Sequence, residues 1–424
     1  MTHQNQFSKR RTITTFLAFV VVLAALYVGF HLWYSSSDGS SSTSGQERYV
    51  VILSLDGFRT EYLERASTPA LDAMAREGVK GALIPSYPSN TFPNHYSMAT
   101  GLYPEHHGIV NNSFWVEEMQ DFFKLGDEEK VHNPAFYLGE PIWNTAEKQG
   151  VKAGCYYWVG SETPVQGMRP SYWKVYDGSD PFMARADSVI AWLQKPEELR
   201  PRFIAWYIQE PDASGHHHGT ESREVLDMCQ SVDSVVGYFR SQLSQLPIAS
   251  KVDFIVVSDH GMKNYEPDRV VNLWEYLPRD SFRFVVEGAP ALLYAKDPQF
   301  VDEALEALRN VPHISAYRRS EVPERFHYNE GDRLGDIVII PDAGGYVYFR
   351  EEAHFDRVAG HGFDNRLPEM EAIFFAVGES FSRGRVVAAF PNVTIYPLLC
   401  RLLGIKPAPN DASEADVDQL LVSK

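Results

Sequence analysis

Five apolar runs, each closed by a polar or glycine-containing turn, limit what this chain can fold into: YVVILSLDG (49 to 57), VKAGCYYWVG (151 to 160), RFIAWYIQEPD (202 to 212), VDFIVVSDHG (252 to 261) and EAIFFAVG (371 to 378). Short uninterrupted runs rich in β-branched and aromatic residues suit strands buried on both faces, where neither side of the pleat meets water. Between them lie patterns of helical period, such as TPALDAMAREG and SREVLDMCQSVDSVVGYFRSQLSQL. That alternation predicts an α/β fold, a mostly parallel sheet with helices on both sides. Residues 279 to 360 break the pattern with shorter strands, one helix over VDEALEALRNV and turns. They are expected to form a small cap inserted before the last core strand.

Globular composition runs from Arg48 to about residue 410, so 48–410 is read as one domain and 411–424 as a tail. Residues 13–34 carry no Asp, Glu, Lys or Arg, and roughly 20 apolar residues at about 1.5 Å each cross a bilayer core of about 30 Å. The segment is expected to be a transmembrane anchor. Lys9, Arg10 and Arg11 precede it, which makes 1–12 a cytoplasmic tail and places the domain outside the cytoplasm, periplasmic or extracellular. The alternative is a cleaved signal peptide, whose apolar core runs about 7 to 15 residues before a small-residue site. This stretch is longer, ends in Trp33 and Tyr34 and offers no such site. The serine-rich residues 35–47 read as a flexible linker.

The formal charge is -17, and no basic run extends beyond Lys9, Arg10 and Arg11. An acidic surface repels phosphate backbones, so no stable nucleic-acid partner is expected. Cys155, Cys229 and Cys400 are far apart without CxxC spacing; they encode neither a disulfide framework nor a thiolate zinc site, and at most one disulfide could form.

Three of the five runs end in candidate ligands: Asp56 after the first, Asp212 with His216 after the third, and Asp259 with His260 after the fourth. In an open α/β sheet, residues just beyond the carboxyl ends of the strands are those that converge on a ligand. Three aspartates brought to one edge repel unless cations lie between them. Asp and His together suit Zn²⁺. Asp212 and His216 lie on one face if their loop turns helically, which leaves His217 and His218 pointing elsewhere. His361, in AGHGFDN, adds an imidazole framed by glycines. Thr91, followed by Phe92 and Pro93 and a helical run through Ala99, reads as a helix N-cap. A hydroxyl there, beside a divalent cation, is where an alkoxide is stabilised.

The motifs LSLDGFR, TFPNHY, TGLYPEHHGI, EPDASGH, SDHGM and HGFDN, spread in order over residues 53 to 365, together resemble the nucleotide pyrophosphatase/phosphodiesterase family of the alkaline phosphatase superfamily. The resemblance implies an alkaline-phosphatase-like α/β/α sandwich, two Zn²⁺ and a threonine nucleophile acting on phosphodiester and pyrophosphate bonds through a phosphothreonine. It assigns Asp212, His216 and His361 to one zinc, and Asp56, Asp259 and His260 to the other. Thr91 becomes the nucleophile, reaching the second ion, and Asn112 the amide that steadies a phosphoryl oxygen. Two Zn²⁺ bring about +4 against about −3 from the aspartates and about −1 from an alkoxide, a near-neutral site suited to a singly charged diester.

Phe92, Tyr207 and either Tyr172 or Trp173 resemble positions that flank a nucleobase in that family, where stacking tolerates every base. The expected substrate is a small nucleotide or phosphodiester. Choline diesters, phosphate monoesters and a catalytically silent tethered binding protein stay open as alternatives.

Overall fold

A computed structural model describes residues 47–352 and 354–422. The expected cytoplasmic tail, the anchor over 13–34 and the linker as far as residue 46 lie outside the described residues. Among the described residues no helix is long and apolar enough to cross a membrane.

The five strands foreseen from the apolar runs, β1, β3, β5, β6 and β7, join four others in a nine-stranded sheet: β1 (Tyr49–Leu55), β2 (Val79–Ile84), β3 (Ala153–Tyr156), β4 (Tyr172–Lys174), β5 (Phe203–Ile208), β6 (Val252–Val257), β7 (Ala372–Val377), β8 (Arg385–Val386) and β9 (Phe390–Pro391). Their order is β8-β2-β7-β6-β1-β5-β3-β4, with β9 also pairing with β2. The helices that matter here are α1 (Pro69–Glu77), α2 (Thr91–Thr100), α3 (Phe182–Leu193), α4 (Asp212–His218), α5 (Arg223–Leu243), α6 (Phe300–Leu308) and α7 (Ile395–Leu403).

Alternation along β1 sorts the core into two layers. Val51, Leu53 and Leu55 pack with Leu71 of α1, Val189 of α3 and Val232 of α5, while Val50 and Ile52 join Met98 of α2 and Leu398 of α7 on the other face. Every residue of β1, β5 and β6 is buried, which is why these strands read as continuous apolar runs. The sheet is mixed, because β7 is antiparallel to both β2 and β6. The chain reaches β7 from the edge where the other core strands end, so it can only run back across the sheet.

Between β6 and β7 the chain builds a four-stranded antiparallel sheet from Phe282–Val286, Ala291–Ala295, Ile337–Pro341 and Ile314–Arg318. Leu293 and Ile339 pack with Val301 and Leu308 of α6, whereas Leu292 and Val338 belong to the main core. One face of this insertion is therefore fused to the sandwich. All three cysteines are buried and free.

The segment beyond 410 is not a free tail. It turns into a short helix over Glu414–Asp418, Val417 and Leu420 are fully buried, and Arg401 pairs with Glu414 and Asp418. Two apolar residues spaced to share one helical face suffice to dock it, a signal too short to register as periodicity. Leu420→Ala is expected to lower the unfolding free energy by about 2–4 kcal/mol, measured by urea denaturation. A solvated tail would give a change within about 0.5 kcal/mol.

Candidate active site

β5, β1 and β6 are adjacent and parallel, so their carboxyl ends lie side by side. Asp56 follows β1, Asp212 follows β5 and opens α4, and Asp259 and His260 follow β6. β2 points the same way, separated from β6 by the antiparallel β7, and its exit leads to Thr91. The turn after β1 is tight: Gly57 has a φ of 67°, and a Cβ there would lie 2.8 Å from Asp212 Cβ. The Asp212 amide donates to the Asp56 carbonyl at 3.0 Å.

The predicted ligands converge. His216 Nε2 lies 3.4 Å from Asp212 Oδ2 and 3.1 Å from His361 Nε2, and His361 Nε2 lies 3.6 Å from Asp212 Oδ1. His260 Nε2 lies 3.6 Å from Asp56 Oδ1, 3.1 Å from Asp259 Oδ2 and 3.3 Å from Thr91 Oγ1. The His260 and His361 rings stack at 3.9 Å. Two groups have ligand atoms mutually close enough for one ion: Asp212, His216 and His361, and Asp56, Asp212 and His260. Asp212 therefore stands between both, rather than in one alone, because the close turn at Gly57 presses it against Asp56. Asp259 joins the second group through His260. His217 and His218 are exposed and outside both groups.

The donor set has the chemistry of a cation site. Asp56 Oδ1, Asp212 Oδ1 and Asp259 Oδ2 are buried without a hydrogen-bond partner. Each imidazole turns Nδ1 to an acceptor: the carbonyl of Ala359 for His216, of Gly261 for His260, and of Ser89, with Asn90 Oδ1, for His361. Those bonds require Nδ1–H and leave each Nε2 lone pair facing inward. Burial holds all three imidazoles below their usual pKa, His361 the most strongly, with neighbouring imidazoles adding to it. Burial, then Asp259, pushes the Asp56 and Asp212 carboxyls well above the usual range. Burial raises Asp259 too, but His260 and His95 outweigh it and hold that carboxyl below its usual value. Carboxylate oxygens and neutral imidazoles, unpaired and aimed at one another, fit Zn²⁺.

Thr91 is the first residue of α2, one place inside the cap, which is Asn90. The position still lies where helix amides and dipole favour negative charge. Asn112 Oδ1 accepts the Phe92 amide at 3.0 Å, which fixes the carboxamide and leaves its NH₂ as donor. His95 is a partner the sequence pattern does not foresee: Nδ1 meets the Thr91 carbonyl at 2.9 Å, Nε2 meets Ser54 Oγ at 2.8 Å, and the ring lies 3.3 Å from Asp259 Oδ2. Its signal is its place four residues after Thr91 on the same helix.

A cavity of about 400 Å³ opens beside these groups, lined by Asp56, Thr91 and Asp212 and by Phe92, Tyr157, Tyr176 and Tyr207. Tyr207 does line it, but its hydroxyl donates to Asp56 Oδ2 at 2.6 Å, so it orients a ligand carboxylate as well as forming wall. Tyr172 and Trp173 do not line it. The Tyr172 hydroxyl donates to the Leu199 carbonyl with its ring beside Trp192, and Trp173 is exposed under Arg169. Both lie inside the edge strand β4, whereas Tyr176 lies just beyond its carboxyl end and reaches the cavity. Arg185, fully buried in α3, ties that exit down by donating to the carbonyls of Asp180 and Tyr207 and to Gln209 Oε1 at 2.9 to 3.0 Å.

Comparisons with known proteins agree with this architecture. The sequence model of the family described as type I phosphodiesterase / nucleotide pyrophosphatase matches residues 50–364. Ectonucleotide pyrophosphatase/phosphodiesterase family member 3 of Mus musculus is 37% identical over 384 residues, 88% of this chain and 44% of that protein. Venom phosphodiesterase CdcPDE of Crotalus durissus collilineatus is 35% identical over 402 residues, 91% of this chain and 48% of the other. The chain thus spans about half the length of the curated relatives it matches. Among solved structures, murine ectonucleotide pyrophosphatase / phosphodiesterase 5 aligns with a TM-score of 0.84 at 31% identity, covering 88% of this chain and 100% of that one. An inactive form of that murine protein, with a threonine changed to alanine, is known in complex with AMP. With the match running from β1 through the loop that carries His361, the chain belongs to the type I phosphodiesterase / nucleotide pyrophosphatase family.

Proposed function

We propose that this protein is a zinc-dependent hydrolase of nucleotide phosphodiester and pyrophosphate bonds that releases nucleoside monophosphates through a phosphothreonine on Thr91. The observation that carries this reading is the convergence of three unpartnered carboxylate oxygens and three inward-facing Nε2 atoms, that of His260 lying 3.3 Å from the Thr91 hydroxyl, at one wall of an aromatic cavity. Asp212, His216 and His361 would hold one Zn²⁺ and Asp56, Asp259 and His260 the other, with Asp212 adjoining both. Two bound Zn²⁺ would neutralise the aspartates, acidify the Thr91 hydroxyl and offset charge on the phosphoryl oxygens.

The chain's own residues supply position and orientation. Thr91 presents Oγ1 from the first turn of α2, where the helix dipole favours the developing alkoxide. Asn112, its carbonyl already held by the Phe92 amide, offers N–H to a non-bridging phosphoryl oxygen. Tyr207 fixes the Asp56 carboxylate, and His95 supports Asp259. Phe92 and Tyr176 offer ring faces for the base, which fixes phosphorus opposite Thr91 for in-line attack. Water then cleaves the phosphothreonine. No Lys or Arg among the described residues lines the cavity, so nothing there meets the second negative charge of a monoester, and the diester reading is favoured over the monoester one. The same reading keeps residues 13–34 as an anchor and 35–47 as a tether, with the domain from Arg48 onward, including the docked segment after 410, outside the cytoplasm. It draws support from the sequence of that segment and from relatives named ectonucleotide pyrophosphatase/phosphodiesterase.

Four outcomes are expected. Thr91→Ala should keep fold and metal content while lowering kcat on bis-p-nitrophenyl phosphate by about a thousandfold or more, with Thr91→Ser retaining much of the activity; near wild-type turnover in the alanine variant would remove the nucleophile. Chelation should abolish turnover and lower the melting temperature. Restoring Zn²⁺ to about 100 times its Kd should return about 2.7 kcal/mol of stability for each site filled, with about two zinc per chain by elemental analysis. Because Asp212 adjoins both groups, Asp212→Asn should deplete metal beyond one equivalent, whereas His216→Ala should deplete about one. Tyr207→Phe should leave the cavity shape intact but weaken metal binding about tenfold or more through the loosened Asp56, read by metal titration.

A further inference from the structure

The residue before Thr91 breaks a local rule. Asn90 is the N-cap of α2, in extended backbone, but its side chain makes no capping bond. An asparagine at that place ordinarily accepts the amide of the second or third helical residue. Here the third is Pro93, which has no N–H, and the amide of the second, Phe92, donates to Asn112 Oδ1 at 3.0 Å. Asn112 thus caps α2 from another loop, and the buried Asn90 carboxamide bonds elsewhere. Its Oδ1 accepts from His361 Nδ1 at 2.9 Å. Its Nδ2 donates to Asn111 Oδ1 at 2.9 Å and to the Ala289 carbonyl of the insertion at 3.5 Å. Gly362 permits this approach, since a Cβ there would lie 2.8 Å from Asn90 Oδ1.

One backbone donor sets the direction of these bonds. The Asn112 amide donates to Asn111 Oδ1 at 2.7 Å, so that atom is an acceptor and Asn90 must offer it N–H. The other end of the Asn90 carboxamide is then its oxygen, and His361 Nδ1 carries the proton. The Ser89 carbonyl, 3.0 Å from the same Nδ1, requires the same tautomer, but only Asn90 also reaches the turn that carries Asn112. We propose that Asn90 is a positioning residue that couples the cation ligand His361 to the phosphoryl-binding amide of Asn112, one end of its carboxamide steadying the imidazole and the other the Asn111–Asn112 turn. This rests on the roles given above to His361 and Asn112. A residue that merely held the loops together would affect both ends alike whatever replaced it, whereas a coupling residue allows each end to be cut separately.

The test compares Asn90→Asp, which keeps the shape and the oxygen but loses the NH₂, with Asn90→Ala, which removes both ends. Zinc is titrated against a competing chelator and AMP is titrated into the zinc-saturated protein by calorimetry, with kcat on bis-p-nitrophenyl phosphate measured in parallel. In Asn90→Ala one zinc equivalent should bind about tenfold or more weakly and the other within about twofold of wild type. AMP affinity and kcat should each fall about tenfold, as Asn112 loses its brace. In Asn90→Asp both zinc equivalents should stay within about threefold of wild type, because a carboxylate still accepts the His361 N–H. AMP affinity and kcat should nevertheless fall about tenfold, since the carboxylate faces Asn111 Oδ1 with no proton to share. Zinc and AMP affinities that fall together or hold together in both variants overturn the proposal. Should Asn90→Ala fail to fold, Asn90→Asp decides alone, and weakened zinc or unchanged AMP binding in it overturns the proposal. A wild type that binds no zinc overturns it together with the zinc reading. The expected split between variants without turnover of the diester supports it and removes only the proposed reaction.

Discussion

Repulsion among three buried aspartates at one edge of the sheet is the condition to which the rest of the structure answers. Parallel pairing of β6, β1 and β5 leaves the chain little choice, since adjacent strands stand about 4.8 Å apart and end level. The fold relieves part of the repulsion with its own donors. The Gly57 amide donates to Asp259 Oδ1, Tyr207 to Asp56 Oδ2, and His95 lies against Asp259 Oδ2. One oxygen of each carboxylate still lacks a hydrogen bond, and the three nearby imidazoles present lone pairs rather than protons. Such an arrangement is costly as a protein interior and well made as a cation receptacle.

The cavity beside it is built by the same topology with different residues. Strands β3 and β4 exit on the same edge as β5, so Tyr157 and Tyr176 arrive where aspartates arrive from the central strands. Charge is concentrated at the middle of the sheet and aromatic surface toward its β4 edge, which divides labour between the reacting phosphorus and the group that carries it. Arg185 joins the two regions by bonding both the exit of β4 and the end of β5.

What the sequence discloses follows from this division. Asp56, Asp212, His216, Asp259 and His260 could be chosen from sequence because they follow strongly apolar strands, and position after a strand is a backbone property, whereas His361 stood out only as an imidazole between glycines. The antiparallel course of β7 was hidden, since a buried strand reads the same in either direction and only the preceding loop decides how it enters. Tyr172 and Trp173 mislead for a related reason: in an edge strand of three residues the end is hard to place, and the residue that reaches the cavity is Tyr176. The double role of Asp212, the support from His95 and the bond from Tyr207 to Asp56 depend on side chains meeting across elements far apart in the chain, which periodicity does not encode. The docked segment after 410 rests on two apolar residues among polar ones, below what any periodic pattern reveals.

Gly57 gives the site its dimensions. Its left-handed backbone and missing side chain allow the Asp56 turn and the start of α4 to approach until one carboxylate serves two groups of ligands. An alanine there would pay about 1–2 kcal/mol for the backbone alone and would also wedge Asp212 away. In mutational terms the position has no neighbours: every single-residue change from glycine widens the separation of the two ligand groups. The spacing on which the chemistry depends is thereby set by an absent methyl group, at a residue with no side chain of its own to bind anything.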